Sequence, residues 1–256
     1  MIKLYPLFSG SSGNATYISI SENIGVLVDV GRSAKQVENA LISNNIDVKN
    51  IKAIFITHEH TDHIVGLRVF SLKHGIKIYS SAGTINFAKS KGIINSKSSY
   101  GIIFKNETDL GFASVCSFSI SHDCVDGLGY IFTDSFGEKV AICTDLGHIS
   151  DDVKTALKGC QTVFLESNHD TMMLQNGPYP YYLKRRILSN SGHLSNESCS
   201  EILPYLVNKG TKNIFLSHLS AHNNLPELAF QTALYHLNNH NMELSKDFSL
   251  FIAPKN

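Results

Sequence analysis

Short runs of apolar and β-branched residues recur along the chain, and polar turns separate them. Their length and composition are typical of strands, which are predicted at 3–8, 16–20, 26–30, 53–57, 77–79, 114–121, 130–133, 140–144, 162–166, 213–217 and 249–252. Apolar residues at helical spacing predict helices over 33–43, 64–74, 198–208 and 225–239. Because the strands cluster in both halves with helices between and after them, we predict an α+β fold of two sheets flanked by helices. No linker rich in Pro, Gly or Ser interrupts the sequence, so we expect one domain over residues 1–256.

Composition and charge narrow the class of protein. Hydrophobic residues make up 43% of the chain and charged residues 17%, which is enough apolar material for a large core. The formal net charge is zero, so any attraction for phosphate has to come from a local patch or from bound metal ions. The five cysteines form no CxxC pair, and no apolar run approaches the ~20 residues of a membrane span. We therefore expect a cytoplasmic protein that does not enter a membrane.

The strongest chemical signal is the segment His58-Glu-His-Thr-Asp-His63, which directly follows the predicted strand 53–57. In an extended segment alternate side chains share a face, so His58, His60 and Asp62 should project together while His63 points elsewhere. Asp62 is also placed to cap the helix expected to begin near Ile64. Imidazole and carboxylate ligands suit zinc, manganese or iron. A solvated histidine-rich turn is the alternative, but so many ligand residues after a buried strand favour a metal site.

Further ligand candidates lie at the ends of other predicted strands. His122 follows the run 114–121, Asp145 follows 140–144 and His218 follows 213–217. Any one of them alone is more often a turn or capping residue, but together they form a pattern. Asp29, near the end of 26–30, is expected to orient the first metal-binding loop rather than to bind the metal itself.

Taken together, these residues resemble the metallo-β-lactamase superfamily, in which an aspartate, HxHxDH, a histidine, an aspartate and a histidine occur in this order. The resemblance implies an αββα sandwich of two mixed sheets with a binuclear metal site at the sheet edge. It implies one ion on His58, His60 and His122, and a second ion on Asp62, His63 and His218. Asp145 would bridge the two ions. The β-lactamases proper have a cysteine at this place, so the aspartate resembles the phosphodiesterase, nuclease and thioester-hydrolase branches.

Four further segments resemble the WalJ/YycJ family, which implies a 5′ to 3′ exonuclease acting on the ends of double-stranded DNA. They are residues 8–14, 144–147, 166–170 and 192–196. The nucleophile of such an enzyme is a hydroxide that bridges the two divalent ions. The catalytic residues are expected to be Asp62, Asp145 and His193, with His193 as general acid or phosphate ligand near a helix N-terminus.

Substrate-binding residues are expected in three loops. Ser11 and Asn14 lie in the glycine-rich loop after the first strand, Asn168 and His169 follow the strand 162–166, and His193 completes the set. Ser11, Asn14, Asn168 and His169 are equally consistent with ordinary turn residues, and the alternative for His193 is a cap of the helix expected to begin near Ser195. The basic run 184–186 follows three tyrosines and would suit a DNA backbone, although a solvated helix face is the commoner meaning of such a run.

Other functions remain open at this point. The zero net charge favours a phosphodiesterase acting on cyclic or nucleotide esters. A thioester or ester hydrolase of the same fold, or a regulatory module that keeps metal without turnover, would use the same ligands. The sequence leaves the identity of the ions and the oligomeric state undetermined.

Overall fold

The strands form two mixed sheets. The computed structural model describes residues 1–104 and 107–254. The first sheet has six strands in sequence order, namely β1 (Lys3–Phe8), β2 (Ala15–Ser21), β3 (Ile24–Val28), β4 (Ile51–Phe55), β5 (Lys77–Ser80) and β6 (Tyr100–Ile102). The second sheet contains β7 (Thr108–Asp109), β8 (Ser114–Ser119), β9 (Leu128–Thr133), β10 (Lys139–Cys143), β11 (Thr162–Glu166), β12 (Asn213–Ser217) and β13 (Ser249–Ile252).

Helices lie outside both sheets. They are α1 (Ala34–Ser43), α2 (Thr61–Ile64), α3 (Leu67–His74), α4 (Ala82–Ser90), α5 (Asp151–Leu157), α6 (Thr171–Asn176), α7 (Tyr181–Ile187), α8 (Asn196–Asn208) and α9 (Pro226–Asn238). One apolar cluster joins the first sheet to α1, α3 and α4, and another joins the second sheet to α5, α8 and α9. A third cluster lies between the sheets, which confirms the predicted αββα layers. Within the described ranges, no helix is long and apolar enough to cross a membrane.

Parallel pairing brings many strand ends to one edge of the sandwich. In the first sheet β3, β4, β5 and β6 run parallel to one another. In the second sheet β10, β11, β12 and β13 are parallel, and β8 has the same direction because β8 and β10 are both antiparallel to β9. Loops that follow the carboxyl ends of these strands can therefore meet at this edge.

Several boundaries differ from the sequence prediction. The predicted strands 26–30, 53–57 and 114–121 each end two residues earlier, because the chain turns there into loops that carry polar side chains. The predicted helix 64–74 is divided into α2 and α3 at Gly66, where a Cβ atom would lie 2.0 Å from the carbonyl oxygen of Arg32. The backbone between α2 and α3 thus approaches the backbone of the loop after β3 more closely than a side chain at position 66 would allow.

Phe55 lies at the centre of the interface between the sheets. Its side chain is fully buried, and its ring centroid is 5.0 Å from that of Phe132, 5.3 Å from Tyr130 and 5.4 Å from Tyr79. Replacing Phe55 with alanine leaves a cavity that the rigid sheets cannot close, so we expect a loss of about 3–5 kcal/mol in the free energy of unfolding. Urea denaturation of the metal-free protein measures this loss.

Phe136 provides the matched control, since its side chain is 81% exposed in the turn between β9 and β10. We expect Phe136→Ala to change the free energy of unfolding by less than about 0.5 kcal/mol. Equal losses from the two substitutions would show that Phe55 is not part of the core that holds the sheets together.

Candidate metal centre

Three histidines form the first cluster at the sheet edge. His58 Nε2 lies 3.0 Å from His60 Nδ1, and His60 Nδ1 lies 3.3 Å from His122 Nε2. His122 Nδ1 donates a hydrogen bond to the carbonyl oxygen of Gly192 at 3.1 Å, which leaves Nε2 unprotonated in the neutral ring. One atom from each of these histidines lies within 4.8 Å of the others, an arrangement that suits one metal ion.

Asp62, His63 and His218 form a second cluster of the same kind. His63 Nε2 is 3.5 Å from Asp62 Oδ2, and His218 Nε2 is 3.8 Å from the same oxygen. Asp145 lies between the clusters, with Oδ2 3.3 Å from His63 Nε2 and Oδ1 4.0 Å from His122 Nε2. The seven predicted ligand residues are therefore brought together as two adjoining groups with one carboxylate between them.

The atoms that face this space fit a cation. Asp145 Oδ2 and His218 Nε2 are buried and have no hydrogen-bond partner among the described residues. Buried polar atoms without partners are costly, and a divalent ion in reach of both would satisfy them. The donors are imidazole nitrogens and carboxylate oxygens, without thiolate, which suits zinc, manganese or iron.

The electrostatics of the cluster follow from burial and from close opposite charges. Burial lowers the pKa of His58 well below its ordinary value. Burial acts against charge on His63 too, but the nearby carboxylates, with Asp29 the largest contributor, raise its pKa well above the ordinary value. Burial would raise the pKa of Asp145, yet His218 and His63 hold it well below its ordinary value. In the metal-free cluster the buried carboxylates and the imidazoles thus shift one another's pKa in opposite directions, and the sign for each histidine depends on how close it lies to a carboxylate.

Three site residues have a left-handed backbone conformation that is unusual for residues other than glycine. Asp29, Asp145 and His218 have φ values of 62°, 59° and 55°, and each follows the end of a strand. A left-handed residue of this kind costs about 1–3 kcal/mol. Such strain persists because the surrounding contacts hold it, and strained residues of this kind concentrate at functional sites.

Asp29 lies behind the histidine loop. Its Oδ1 accepts from the backbone N–H of Thr57 at 2.9 Å, and its Oδ2 accepts from Thr57 Oγ1 at 2.9 Å and from His63 Nδ1 at 2.8 Å. His63 therefore carries its proton on Nδ1 and presents Nε2 to the cluster. The carboxylate fixes the start of the loop and the orientation of one of its histidines.

Glu166 is a functional candidate that the sequence prediction missed. Its side chain is fully buried, and its Oε1 accepts hydrogen bonds at 2.8 Å from Nδ1 of both His193 and His218. Burial opposes its charge, but His193 and His218 lower its pKa to about 2. The available signal was an acidic residue that ends an apolar strand, the same feature that singled out Asp145 and Asp29. Glu166 orients two imidazoles at once.

The structure corrects two predictions about Asp62. Asp62 is the second residue of α2, so it does not cap a helix beginning near Ile64, and the N-cap residue is His60. Asp62 also groups with His63 rather than with His58 and His60. The alternation expected for an extended chain ends where α2 begins at Thr61, so the helical turn directs Asp62 and His63 to the same cluster.

The residues predicted to bind substrate occupy different environments. Ser11 is exposed at the tip of its loop, whereas Asn14 Nδ2 lies 3.0 Å from His63 Nε2. Asn168 is buried and donates from Nδ2 to the backbone oxygen of His218 at 2.9 Å. His169 is 1% exposed, and neither ring nitrogen has a hydrogen-bond partner in the described part of the chain. Asn168 and His169 are therefore buried behind the clusters and are not exposed to a substrate.

His193 lies beside both clusters. Its ring centroid is 5.0 Å from that of His122 and 5.3 Å from that of His218, and its side chain is partly exposed. Burial lowers its pKa, but Glu166 and Asp145 raise it above the ordinary value. A protonated imidazole beside the two clusters can donate a proton to a bound group or contact an anion.

The sequence is similar to those of known proteins. The family model described as the metallo-beta-lactamase superfamily matches residues 9–218. Exodeoxyribonuclease YycJ of Bacillus anthracis is 36% identical over 224 residues, which cover 87% of this chain and 84% of the relative. Exodeoxyribonuclease WalJ of Streptococcus pneumoniae is 35% identical over 249 residues, with 96% and 91% covered.

A solved structure agrees at the level of the fold. The metallo-beta-lactamase fold protein YhfI from Bacillus subtilis superposes with a TM-score of 0.72 at 15% identity, over 100% of this chain and 98% of that one. The matched region of the family model contains every candidate ligand from His58 to His218. The chain therefore belongs to the metallo-β-lactamase superfamily and, within it, to the family that includes the exodeoxyribonucleases YycJ and WalJ.

Proposed function

We propose that this protein is a metal-dependent phosphodiester hydrolase that degrades double-stranded DNA from an end in the 5′ to 3′ direction. The observation that carries the proposal is the pair of adjoining ligand clusters with Asp145 between them. Support for the substrate comes from two relatives that are 35% and 36% identical and are named exodeoxyribonucleases. The zero net charge requires that DNA be held by local groups near the two clusters.

Two divalent ions, zinc, manganese or iron, fit the ligand sets. His58, His60 and His122 would hold one ion, and Asp62, His63 and His218 the other, with Asp145 shared. Bound ions would act as Lewis acids toward the phosphate oxygens and lower the pKa of the attacking water. No nucleophilic serine or cysteine is required for this chemistry.

His193 would supply the proton for the leaving oxygen. Its Nδ1 donates to Glu166 Oε1, so Nε2 is the atom that would hold the transferable proton. Glu166 stabilises the protonated ring and keeps it oriented. Ser11 would contact phosphate from the glycine-rich loop, while the buried Asn14, Asn168 and His169 would position the loops around His63, His218 and His193.

We also propose a single domain and a cytoplasmic location. The apolar cluster between the sheets draws residues from both halves of the chain, among them Phe55 and Phe132. All five cysteines are free thiols, and three of them are buried, as expected in a reducing compartment.

Asp145→Asn tests the shared carboxylate. Removing its charge takes an anionic ligand from both clusters, so we expect metal content to fall and the rate of duplex degradation to drop by at least about 100-fold. Elemental analysis of the purified protein and an assay on end-labelled duplex DNA measure the two effects. Asp152→Asn, at an exposed position of α5, is the control. Full activity in Asp145→Asn would remove the basis for a two-ion centre.

Asp29→Asn tests the residue behind the histidine loop. The neutral amide can no longer stabilise a positive His63 or accept the same three hydrogen bonds, so we expect the affinity for the second ion to fall about 10–100-fold. Competition with a chromogenic chelator measures the affinity. An unchanged affinity would mean that Thr57 and His63 are held well enough by the backbone alone.

His193→Ala tests proton donation. We expect kcat on duplex DNA to fall about 10²–10⁴-fold while metal content stays at the wild-type level. A phosphodiester with an acidic leaving group, such as a nitrophenyl ester, needs little protonation, so its hydrolysis should fall much less. His240→Ala, at an exposed site after α9, is the matched control. Equal losses on both substrates would contradict a general-acid role.

A further inference from the structure

Helix α7 presents aromatic and basic side chains to solvent. Tyr181 and Tyr182 are 75% and 74% exposed, and the basic run of the sequence occupies positions 184–186 of the same helix. The Arg185 guanidinium lies 6.0 Å from the centroid of the Tyr181 ring. The helix contains no acidic residue, so it is a local positive surface on a chain without net charge.

The loop that follows α7 fixes the helix against the metal clusters. The backbone N–H of His193 donates to the carbonyl oxygen of Ile187 at 3.0 Å, and the Gly192 carbonyl accepts from His122 Nδ1 at 3.1 Å. The Asn190 carbonyl accepts from Ser121 Oγ at 2.7 Å. The carboxyl end of α7 is thereby joined to one predicted metal ligand and to the predicted proton donor.

Arg186 reaches from α7 to the rim of the clusters. Its guanidinium forms a two-point ion pair with Asp123, through Nε to Oδ2 and through Nη2 to Oδ1. Asp123 Oδ1 lies 3.4 Å from His122 Nε2, the nitrogen that faces the first cluster. Asp62, in the second cluster, also interacts electrostatically with Arg186. Through Asp123 the guanidinium therefore lies beside the first cluster.

This ion pair is well suited to exchange with a phosphate. The Arg186 side chain is 50% exposed and Asp123 is 33% exposed, so solvent screens the pair and a ligand can reach the guanidinium. A nucleic-acid phosphodiester offers the same two-oxygen geometry as a carboxylate and the same single negative charge. Arginine could thus bind a nucleic-acid phosphate while Asp123 keeps the guanidinium in place before substrate arrives.

We propose that α7 is the surface that binds the DNA strand next to the cleavage point. Arg186 binds the phosphate adjacent to the one that is cleaved, and Tyr181 and Tyr182 stack against nucleotide bases. The inference rests on the proposed function, and it adds a determinant that a small phosphodiester would not need. Loss of α7 contacts therefore weakens DNA binding more than it slows the chemical step.

The test compares the steady-state kinetics of Arg186→Ala and of the double variant Tyr181→Ala/Tyr182→Ala on end-labelled duplex DNA. We expect KM to rise about tenfold in each, with the loss mainly in KM and not in kcat. For Arg186→Ala the slope of log KM against log salt should also decrease by about one phosphate contact. Arg186→Lys keeps the charge but not the two-point geometry. Its KM should lie between that of the wild type and that of Arg186→Ala.

Lys209→Ala is the matched control, because this cation follows α8 at the opposite edge of the sheets and packs over Tyr205. Its kinetics on DNA should equal those of the wild type. Metal analysis of Arg186→Ala distinguishes a loss of DNA binding from a loss of the ion held at His122. The tyrosine double variant leaves the Arg186–Asp123 pair intact, so it tests DNA binding by α7 independently of that pair. Wild-type KM in both α7 variants overturns the inference while the nuclease stands. A wild-type protein that holds its ions yet leaves duplex DNA intact overturns the proposed function and this inference together.

Discussion

The burial of carboxylates at one edge of the sandwich is the constraint on which the rest of the structure depends. Asp29, Asp145 and Glu166 are each at most 3% exposed. An isolated buried carboxylate is strongly unfavourable, so each of them must be met by hydrogen-bond donors or positive charge. The donors here are backbone N–H groups and the imidazoles of His63, His193 and His218. The requirement to neutralise these acids therefore brings the histidine loops together.

The same contacts join the two sheets at this edge. His63 lies in the segment after β4 of the first sheet, and Asp145 lies after β10 of the second sheet. His63 Nε2 and Asp145 Oδ2 are 3.3 Å apart. The backbone N–H of His218 donates to Ser9 Oγ at 2.7 Å, which ties the end of β12 to the glycine-rich loop after β1. The aromatic packing around Phe55 holds the sheets face to face, and the polar contacts fix their edge. A site built between two sheets depends on both, so stability and chemistry are coupled.

Much of the architecture could be predicted because burial leaves a plain pattern in the sequence. The predicted strands 3–8, 162–166, 213–217 and 249–252 coincide with β1, β11, β12 and β13, three of them consecutive in the second sheet. The helices α4, α5 and α6 and the short strands β6 and β7 were missed. Their residues are partly exposed and carry weak periodicity, so packing against neighbours, not local preference, decides their structure. The predicted helix 64–74 is confirmed over Leu67–His74, but the close approach of the loop after β3 interrupts it at Gly66.

The sequence by itself determined which side chains are available and that they follow strands, because strand ends and ligand-type residues can be identified locally. It also carried the family resemblance, which implied the two ligand sets. Only the tertiary structure decided how the remaining groups are paired. Glu166 meets His193 and His218 across 27 and 52 positions, and Arg186 meets Asp123 across 63 positions. Contacts over such separations are set by sheet order and loop packing, for which a single sequence contains no local signal.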